Sequence, residues 1–274
     1  MSDSSQAGRC RIFRELHRSG CFVIPNPWDL GSATALVQLG FRALATSSAG
    51  LAWTLGRRDH GVRVAEKLAH LRSLSDCVEV PVNADFEGGF AVGPTAVAAN
   101  VAAAVATGIA GLSIEDSTGD HLEPLLDRAL AVERVRAARE AIDRSGTGVL
   151  LTGRSEGFLV GRPDLADTIG RLIAYADAGA ECLFAPGLRT TTDIKTVVEA
   201  LAPRPVNVLV VGDSITVTEL EQLGVRRVSV GGGLARAAWT GFLHAATEIA
   251  QRGTFTGLGR AASFADINGL FGPR

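Results

Sequence analysis

The chain has 274 residues, 46% hydrophobic and 20% charged, enough to bury a sizeable core in one large domain or two small ones. Its formal net charge is −2 and no Lys/Arg run occurs, which excludes an electrostatic footprint for nucleic acid or an anionic membrane and leaves a small molecule as the expected partner. Residues 1–10 are polar and lack the apolar core of a signal peptide, and no later apolar run is long enough to span a bilayer, so a cytoplasmic protein is expected.

Residues 12–18 read as a short helix and 21–25 as the first strand. Asp29 or Ser32 caps the next helix, in which Ala33, Leu36, Val37 and Leu39 recur at helical spacing until Gly40 stops it. A second strand over 43–47 opens into the small residues Ser48, Ala49 and Gly50, then into a polar loop with Arg57, Arg58 and Asp59. After a helix over 64–74, Val78, Val80 and Val82 alternate into a third strand that ends on Asp85, Glu87 and the pair Gly88-Gly89. Pro94 starts an Ala-rich helix to 107. A strand over 111–115 ends on Glu115, followed by a Gly/Asp/Pro-containing segment over 117–124 and a helix over 127–145. The second half keeps this rhythm, with strands over 149–154, 182–186, 205–210 and 227–231 and helices over 163–178, 192–201, 216–223 and 235–251. A Gly/Ala-rich tail carries Phe255, Phe264, Leu270 and Phe271. Cys10, Cys21, Cys77 and Cys182 are far apart, form no CxxC pair and read as reduced packing residues.

Eight near-continuous apolar strands, each followed by a helix, predict an α/β protein, a (β/α)8 TIM barrel with a C-terminal helical extension. A doubly wound sheet competes, but its glycine-rich phosphate loop should follow the first strand, where Pro25-Asn26-Pro27-Trp28-Asp29 stands instead. Residues 1–274 are expected to form a single barrel domain, whose tail, 252–274, has no slot in the barrel and covers a partner subunit. Barrel sites lie at the carboxyl ends of the strands, where Ser47, Asp85, Glu115, Arg154 and Asn207 all fall.

Asp85 and Glu115, on neighbouring strand ends, would share either a proton or a cation. A hard divalent ion, Mg²⁺ or Mn²⁺, keeps several waters and suits so sparse a site better than Ca²⁺ or Zn²⁺. In a purely structural role the same acids cap loops or pair with Arg154. The planar fork of Arg154 suits the carboxylate of a small acid, or else an ion pair with Glu156 or Glu115. Ser47, Ser48, Ala49 and Gly50 offer backbone N–H groups in a turn, as carboxylate or oxyanion binding requires and as any Ser/Gly turn also does.

The succession PNPWD, TSSAGLAWTLGRRD, PVNADFEGGF, LSIED, GRSEGF, YADAGAECLF, PVNV and LGVRRVSVGGGL resembles the isocitrate lyase/phosphoenolpyruvate mutase family, in its mutase-like branch, across nearly the whole chain. The resemblance implies a Mg²⁺-dependent barrel that makes or breaks C–C or P–C bonds beside a 2-oxo acid through a metal-stabilised enolate. It also implies a last helix swapped between the subunits of a homodimer or homotetramer. Carried over by motif, Asp85 contacts the metal directly, Glu115 is a second and often water-mediated ligand, and Asp59 lies on the loop that reaches metal or substrate. Arg154 would hold the substrate, and the backbone around Ser47, Ser48 and Ala49 would bind its carboxylate or oxyanion.

The chain also departs from the family. Isocitrate and methylisocitrate lyases carry Lys-Lys-Cys-Gly-His after the strand ending in Glu115; here residues 116–123 contain neither Cys nor Lys, which argues against those two lyases. The Lys and Asn of phosphonate-handling members are missing there too. Asn83-Ala84-Asp85 replaces Asp-Ala-Asp, leaving the metal site one charge poorer; Glu87 either restores that charge as a ligand or faces solvent. His121 is the one acid/base candidate of that segment, or has no role. The expected function is a Mg²⁺-dependent lyase or decarboxylase that cleaves a C–C bond of a small 2-oxo or 2-hydroxy acid. The alternatives are a phosphonopyruvate-type mutase or hydrolase, and a barrel without chemistry that binds a 2-oxo acid.

Overall fold

The computed structural model of the chain describes residues 5–272; residues 273 and 274 of the expected tail lie outside the described residues. The strands are β1 (Phe22–Ile24), β2 (Leu44–Ala45), β3 (Val82–Asp85), β4 (Gly111–Glu115), β5 (Leu150–Arg154), β6 (Cys182–Phe184), β7 (Val206–Leu209) and β8 (Arg227–Ser229). They pair in parallel in the order β1-β8-β7-β6-β5-β4-β3-β2. The remaining seam is closed by Ala45 N–H donating to the Pro25 carbonyl at 3.0 Å and Asn26 Nδ2 donating to the Thr46 carbonyl at 3.0 Å. The expected (β/α)8 barrel is therefore the fold.

The helices are α1 (Gln6–Leu16), α2 (Leu30–Gln38), α3 (Ser48–Thr54), α4 (Val64–Cys77), α5 (Pro94–Val105), α6 (Arg128–Ser145), α7 (Leu165–Asp177), α8 (Thr191–Leu201), α9 (Val217–Gln222), α10 (Gly233–Arg252) and α11 (Phe264–Gly269). Asp29 and Ser32 together start α2: Asp29 accepts the Ser32 N–H at 2.7 Å and Ser32 Oγ accepts the Asp29 N–H at 3.1 Å, a reciprocal capping box. Pro94 opens α5, where its missing N–H costs nothing. Along β3 to β8 the side chains alternate. Asp85, Ser113, Arg154, Asn207 and Arg227 line the barrel's interior, while Ala84, Leu112, Ile114, Leu183 and Val228 between them are buried under the helices.

Helix α1 stoppers the amino-terminal end of the barrel. Ser5 caps it by accepting the Gly8 N–H, which starts the helix earlier than residue 12. Gln6 donates to the carbonyls of Val105 and Ile109 at 2.7 and 3.0 Å, and Phe13 packs edge-on against His17 and Phe22. Gly111 opens β4 because the Phe13 ring enters there; a Cβ on Gly111 would lie 2.5 Å from Phe13 Cε1.

One stretch differs from the sequence reading. Residues 48–54 form a helix rather than a turn, because Ser47 caps it through the Gly50 N–H at 3.1 Å. The tail beyond α10 carries a 3₁₀ turn (Leu258–Arg260) and α11, in keeping with a helical extension after the barrel. Of α10 itself only Ala235 is buried. No helix among the described residues is long and apolar enough to cross a membrane.

The Gly111→Ala change overpacks the Phe13 seat, and a loss of about 1–3 kcal/mol is expected in urea unfolding; an unchanged midpoint would mean that α1 does not seat there. Burial and Arg227 push the His17 imidazole down to about 3, and burial and Lys67 push His70 down to about 4. Both stay neutral in the fold while the unfolded chain protonates them near 6.5. Stability is then complete above about pH 6.5 and declines as pH falls toward 4. A His17→Gln/His70→Gln protein should show a flatter urea-midpoint profile across that window, and an equal slope would contradict this.

Candidate active site

Three consecutive strand ends converge on one guanidinium. Glu115 and Arg154 are register partners on β4 and β5, and Asp85 ends β3 beside them. Arg154 Nη1 lies 3.2 Å from Asp85 Oδ1 and 3.1 Å from Glu115 Oε2, while its Nε donates to Glu156 Oε1. Its Cζ also stands 5.4 Å from the centroid of the Phe184 ring. Three carboxylates thus face a single cation in a largely buried place.

The protonation equilibria follow from that imbalance. Burial, together with Glu156 and Asp85, raises the Glu115 carboxyl to about 8 against the pull of Arg154. For Asp85, burial acts upward, but Arg154, Lys67 and the Ser48 N–H outweigh it and hold the carboxyl below its usual value. Arg154 stays charged because Glu115, Glu156 and Asp85 outweigh its own desolvation.

Each partner is itself held. Asp85 Oδ2 accepts the Ser48 N–H at 3.0 Å from the first turn of α3, and the Asp85 N–H donates to Thr46 Oγ1 at 3.0 Å. Thr46 Oγ1 is also met by the fully buried Lys67, at 3.3 Å. Asp116 is buried behind the site, accepting from Tyr175 Oη at 2.6 Å, the Glu156 N–H at 2.8 Å and Arg171 Nη1 at 3.3 Å. This cluster fixes the turn after β5 that aims Glu156 at Arg154.

A cavity of about 160 Å³ opens beside Arg154 and brings together Ser47, Ser48, Ala49, Asp59, Asp85 and Asn207 of the expected residues. Glu115 and Glu87 face an adjoining groove with His60. His60 Nδ1 lies 3.3 Å from Glu87 Oε2, and this hydrogen bond, with Asp59 and Glu115, raises the imidazole to about 9 despite its burial. His60 and Glu87 hold φ of 61° and 48°, a left-handed backbone that side chains rarely adopt and that concentrates at functional sites. His121 lies on the exposed β4–α6 loop, outside the lining of both spaces.

The sequence reading passed over His60, Lys67 and Arg227. His60 follows Asp59 directly, and that adjacency was its one available signal. Arg227 sits at an interior position of a strand whose polar residues alternate with valines, a readable sign that a charge points into the barrel.

The donor set suits a hard cation. Carboxylates outnumber the cation at Arg154, Asp59 stands on the cavity wall, and the buried Glu87 Oε1 has no hydrogen-bond partner. Among the described residues no three His, Cys, Asp or Glu side chains converge as a ready-made metal cage. The carboxylates present are the oxygen donors that a hard cation takes.

Comparison with known proteins adds lineage to this geometry. The profile of the phosphoenolpyruvate phosphomutase family matches residues 13–250. An uncharacterised protein of Mycobacterium tuberculosis is 33% identical over 242 residues, covering 87% of this chain and 89% of its own. The solved structure of a Burkholderia cenocepacia J2315 protein, named a lyase/mutase, superposes with a TM-score of 0.94 at 45% identity, over 97% of each chain. That of a 2,3-dimethylmalate lyase superposes with a TM-score of 0.85 at 25% identity, over 98% of this chain and 95% of its own.

Removing the shared cation should leave its acids unbalanced. Arg154→Met is expected to cost about 3 kcal/mol or more in urea unfolding at pH 8. A loss below about 1 kcal/mol, the range of exposed pairs, would show that these carboxylates do not depend on Arg154.

Proposed function

Because the chain belongs to the phosphoenolpyruvate phosphomutase family of the isocitrate lyase/phosphoenolpyruvate mutase superfamily, we propose that it is a Mg²⁺-dependent lyase or decarboxylase that cleaves a C–C bond of a small 2-oxo or 2-hydroxy diacid. The observation that carries this reading is the Arg154 guanidinium, gripped by Asp85 and Glu115 at the wall of a cavity sized for a small acid. The 2,3-dimethylmalate lyase, by its name, acts on a substituted 2-hydroxy diacid, and its likeness to this chain runs through both lengths. This favours C–C over P–C chemistry.

In this reading Arg154 binds the carboxylate beside the 2-oxo or 2-hydroxy carbon in a fork, with the Ser47 and Ala49 N–H groups and the Asn207 amide completing its hydrogen bonds while Ser48 holds Asp85. Asp85 and Glu115 hold the divalent ion, with Glu87 as a further ligand. Bound there, such an ion supplies Lewis-acid stabilisation of negative charge developing on the substrate's oxygen. Asp59, on the cavity wall, takes the hydroxyl proton of a 2-hydroxy acid. The alkoxide collapses to a carbonyl at C2 as the C2–C3 bond breaks with its electron pair left on C3, and C3 then takes a proton from water to complete the second product. His121 takes part only where the β4–α6 loop folds over the mouth.

Residues 1–274 act as one barrel unit in a homodimer or homotetramer, with residues 252–274 against a neighbouring subunit. The motive is the run of exposed apolar side chains on α10 and beyond it, among them Trp239, Phe242, Leu243, Phe255 and Phe264. Sedimentation should show an assembly that Trp239→Asp/Phe242→Asp dissociates; a monomeric wild type would end this part of the proposal.

The deciding assay follows pyruvate and phosphate release with Mg²⁺ from oxaloacetate, alkyl-substituted malates and phosphonopyruvate, with an EDTA control. EDTA-sensitive pyruvate without phosphate is expected. Phosphate from phosphonopyruvate would favour a mutase or hydrolase, and turnover of none of these would leave the binding protein. With a substrate in hand, Arg154→Lys should lower kcat/KM by about 100-fold through loss of the planar fork; an unchanged value would return Arg154 to a structural ion pair.

A further inference from the structure

Beneath the site lies a charge that no carboxylate among the described residues balances. Arg227, the first residue of β8, is 3% exposed and lines the same cavity as Arg154. Its Nε donates to Asn207 Oδ1 at 2.9 Å and its Nη2 to Thr152 Oγ1 at 3.1 Å, while Nη1 lies 3.3 Å from His17 Nε2. His17 is neutral, and its Nδ1 faces the Phe13 carbonyl at 2.7 Å. The proton therefore sits on Nδ1, and Nε2 accepts from Arg227. All three partners are uncharged. No ion pair joins Arg227 to a carboxylate among the described residues, and the adjacent Cys182 is held as a neutral thiol by burial.

A buried, uncompensated guanidinium is costly, and buried charges in folded proteins are ordinarily paired. The polar residues around it are fixed rather than adaptable, since Asn207 Nδ2 also donates to Ser229 Oγ at 3.0 Å. Asn207 thereby presents its oxygen to Arg227 and cannot turn away. Two of the five N–H groups of the guanidinium remain beyond the three contacts named. Thr152 stands two residues before Arg154 on β5, so the Arg227 contact lies about 6.6 Å deeper along the strand. The cavity thus has one guanidinium ringed by acids at its mouth and a second without an acid on its floor.

We propose that Arg227 is a specificity-determining residue whose guanidinium receives the second carboxylate of a dicarboxylate substrate, the first being held at Arg154. The assignment rests on the reading of the cavity as a small-acid site and adds to it the group that separates diacids from monoacids. Bound substrate would then supply the counter-charge that the barrel withholds, and Asn207 and Thr152 would act by keeping the guanidinium level.

Malate and lactate test this, because both are 2-hydroxy acids and they differ at the distal carboxylate. Their dissociation constants would be measured by calorimetry on the full-length protein with Mg²⁺, alongside Arg227→Gln and Arg227→Lys. The wild type should bind malate at least ~10-fold more tightly than lactate. Arg227→Gln should erase that preference while leaving lactate binding unchanged, and Arg227→Lys should restore part of it. Equal affinity of the wild type for the two acids, or a malate preference that survives in folded Arg227→Gln, overturns the proposal. Binding of neither acid by the wild type instead overturns the small-acid reading on which it rests. Should both variants fail to fold, a crystal structure of the wild type with malate decides: a carboxylate within hydrogen-bond distance of Arg227 supports the assignment, and both carboxylates at the mouth refute it.

Discussion

Asp85, Glu115 and Glu156 come from different parts of the chain, and what brings their carboxylates within one small volume is the Arg154 guanidinium between them. Three like charges at that spacing repel one another strongly in a buried setting, so the ends of β3, β4 and β5 are compatible only with a cation at their centre. The supporting shell answers to the same constraint. Ser48 gives Asp85 a backbone donor, and Asp116 pins the Glu156 backbone, so neither acid is free to swing away. One cation is still too few for three anions, and Glu115 reflects the shortfall by holding its proton up to about 8.

The same imbalance, inverted, appears one layer down. Barrel interiors are usually packed with branched apolar side chains. This one carries Asn83, Ser113, Thr152, Asn207, Arg227 and Ser229 instead, while Val82, Ala84, Leu112, Ile114, Leu151, Val206, Val208 and Val228 beside them are buried on the helix-facing side. Such a core is held by hydrogen bonds whose geometry must be met residue by residue, which favours one arrangement over many. It is met almost everywhere; Asn83 Oδ1 is left without a partner. The apolar layer between strands and helices supplies the cohesion, and the polar axis gains the liberty to bind.

Much of this was readable in advance, for a reason particular to parallel barrels. Strands covered by helices are written as short apolar runs, and the residue that ends each run falls at the mouth whatever the details of packing. Asp85, Glu115 and Arg154 could therefore be placed together from spacing alone. Pairings that cross the fold could not. His17 and Arg227 are far apart in the chain, and nothing local in either segment announces the other. His60 owes its contact with Glu87 to a left-handed turn that a polar loop sequence does not encode legibly. Helix α3 escaped notice because Ser-Ala-Gly reads as a turn until the Ser47 cap and the strand before it fix where the N–H groups point.

The stopper formed by α1 has a kinetic consequence. With Phe13 and His17 filling the amino-terminal end, the interior is closed at that end by the plug. If the proposed cleavage takes place inside it, the fragments would not leave through opposite ends, and the piece nearer the rim would depart before the piece at the bottom. Order of departure would then be set by the plug rather than by the catalytic groups, and the fragment seated deepest would be the one to compete with the next substrate for the interior.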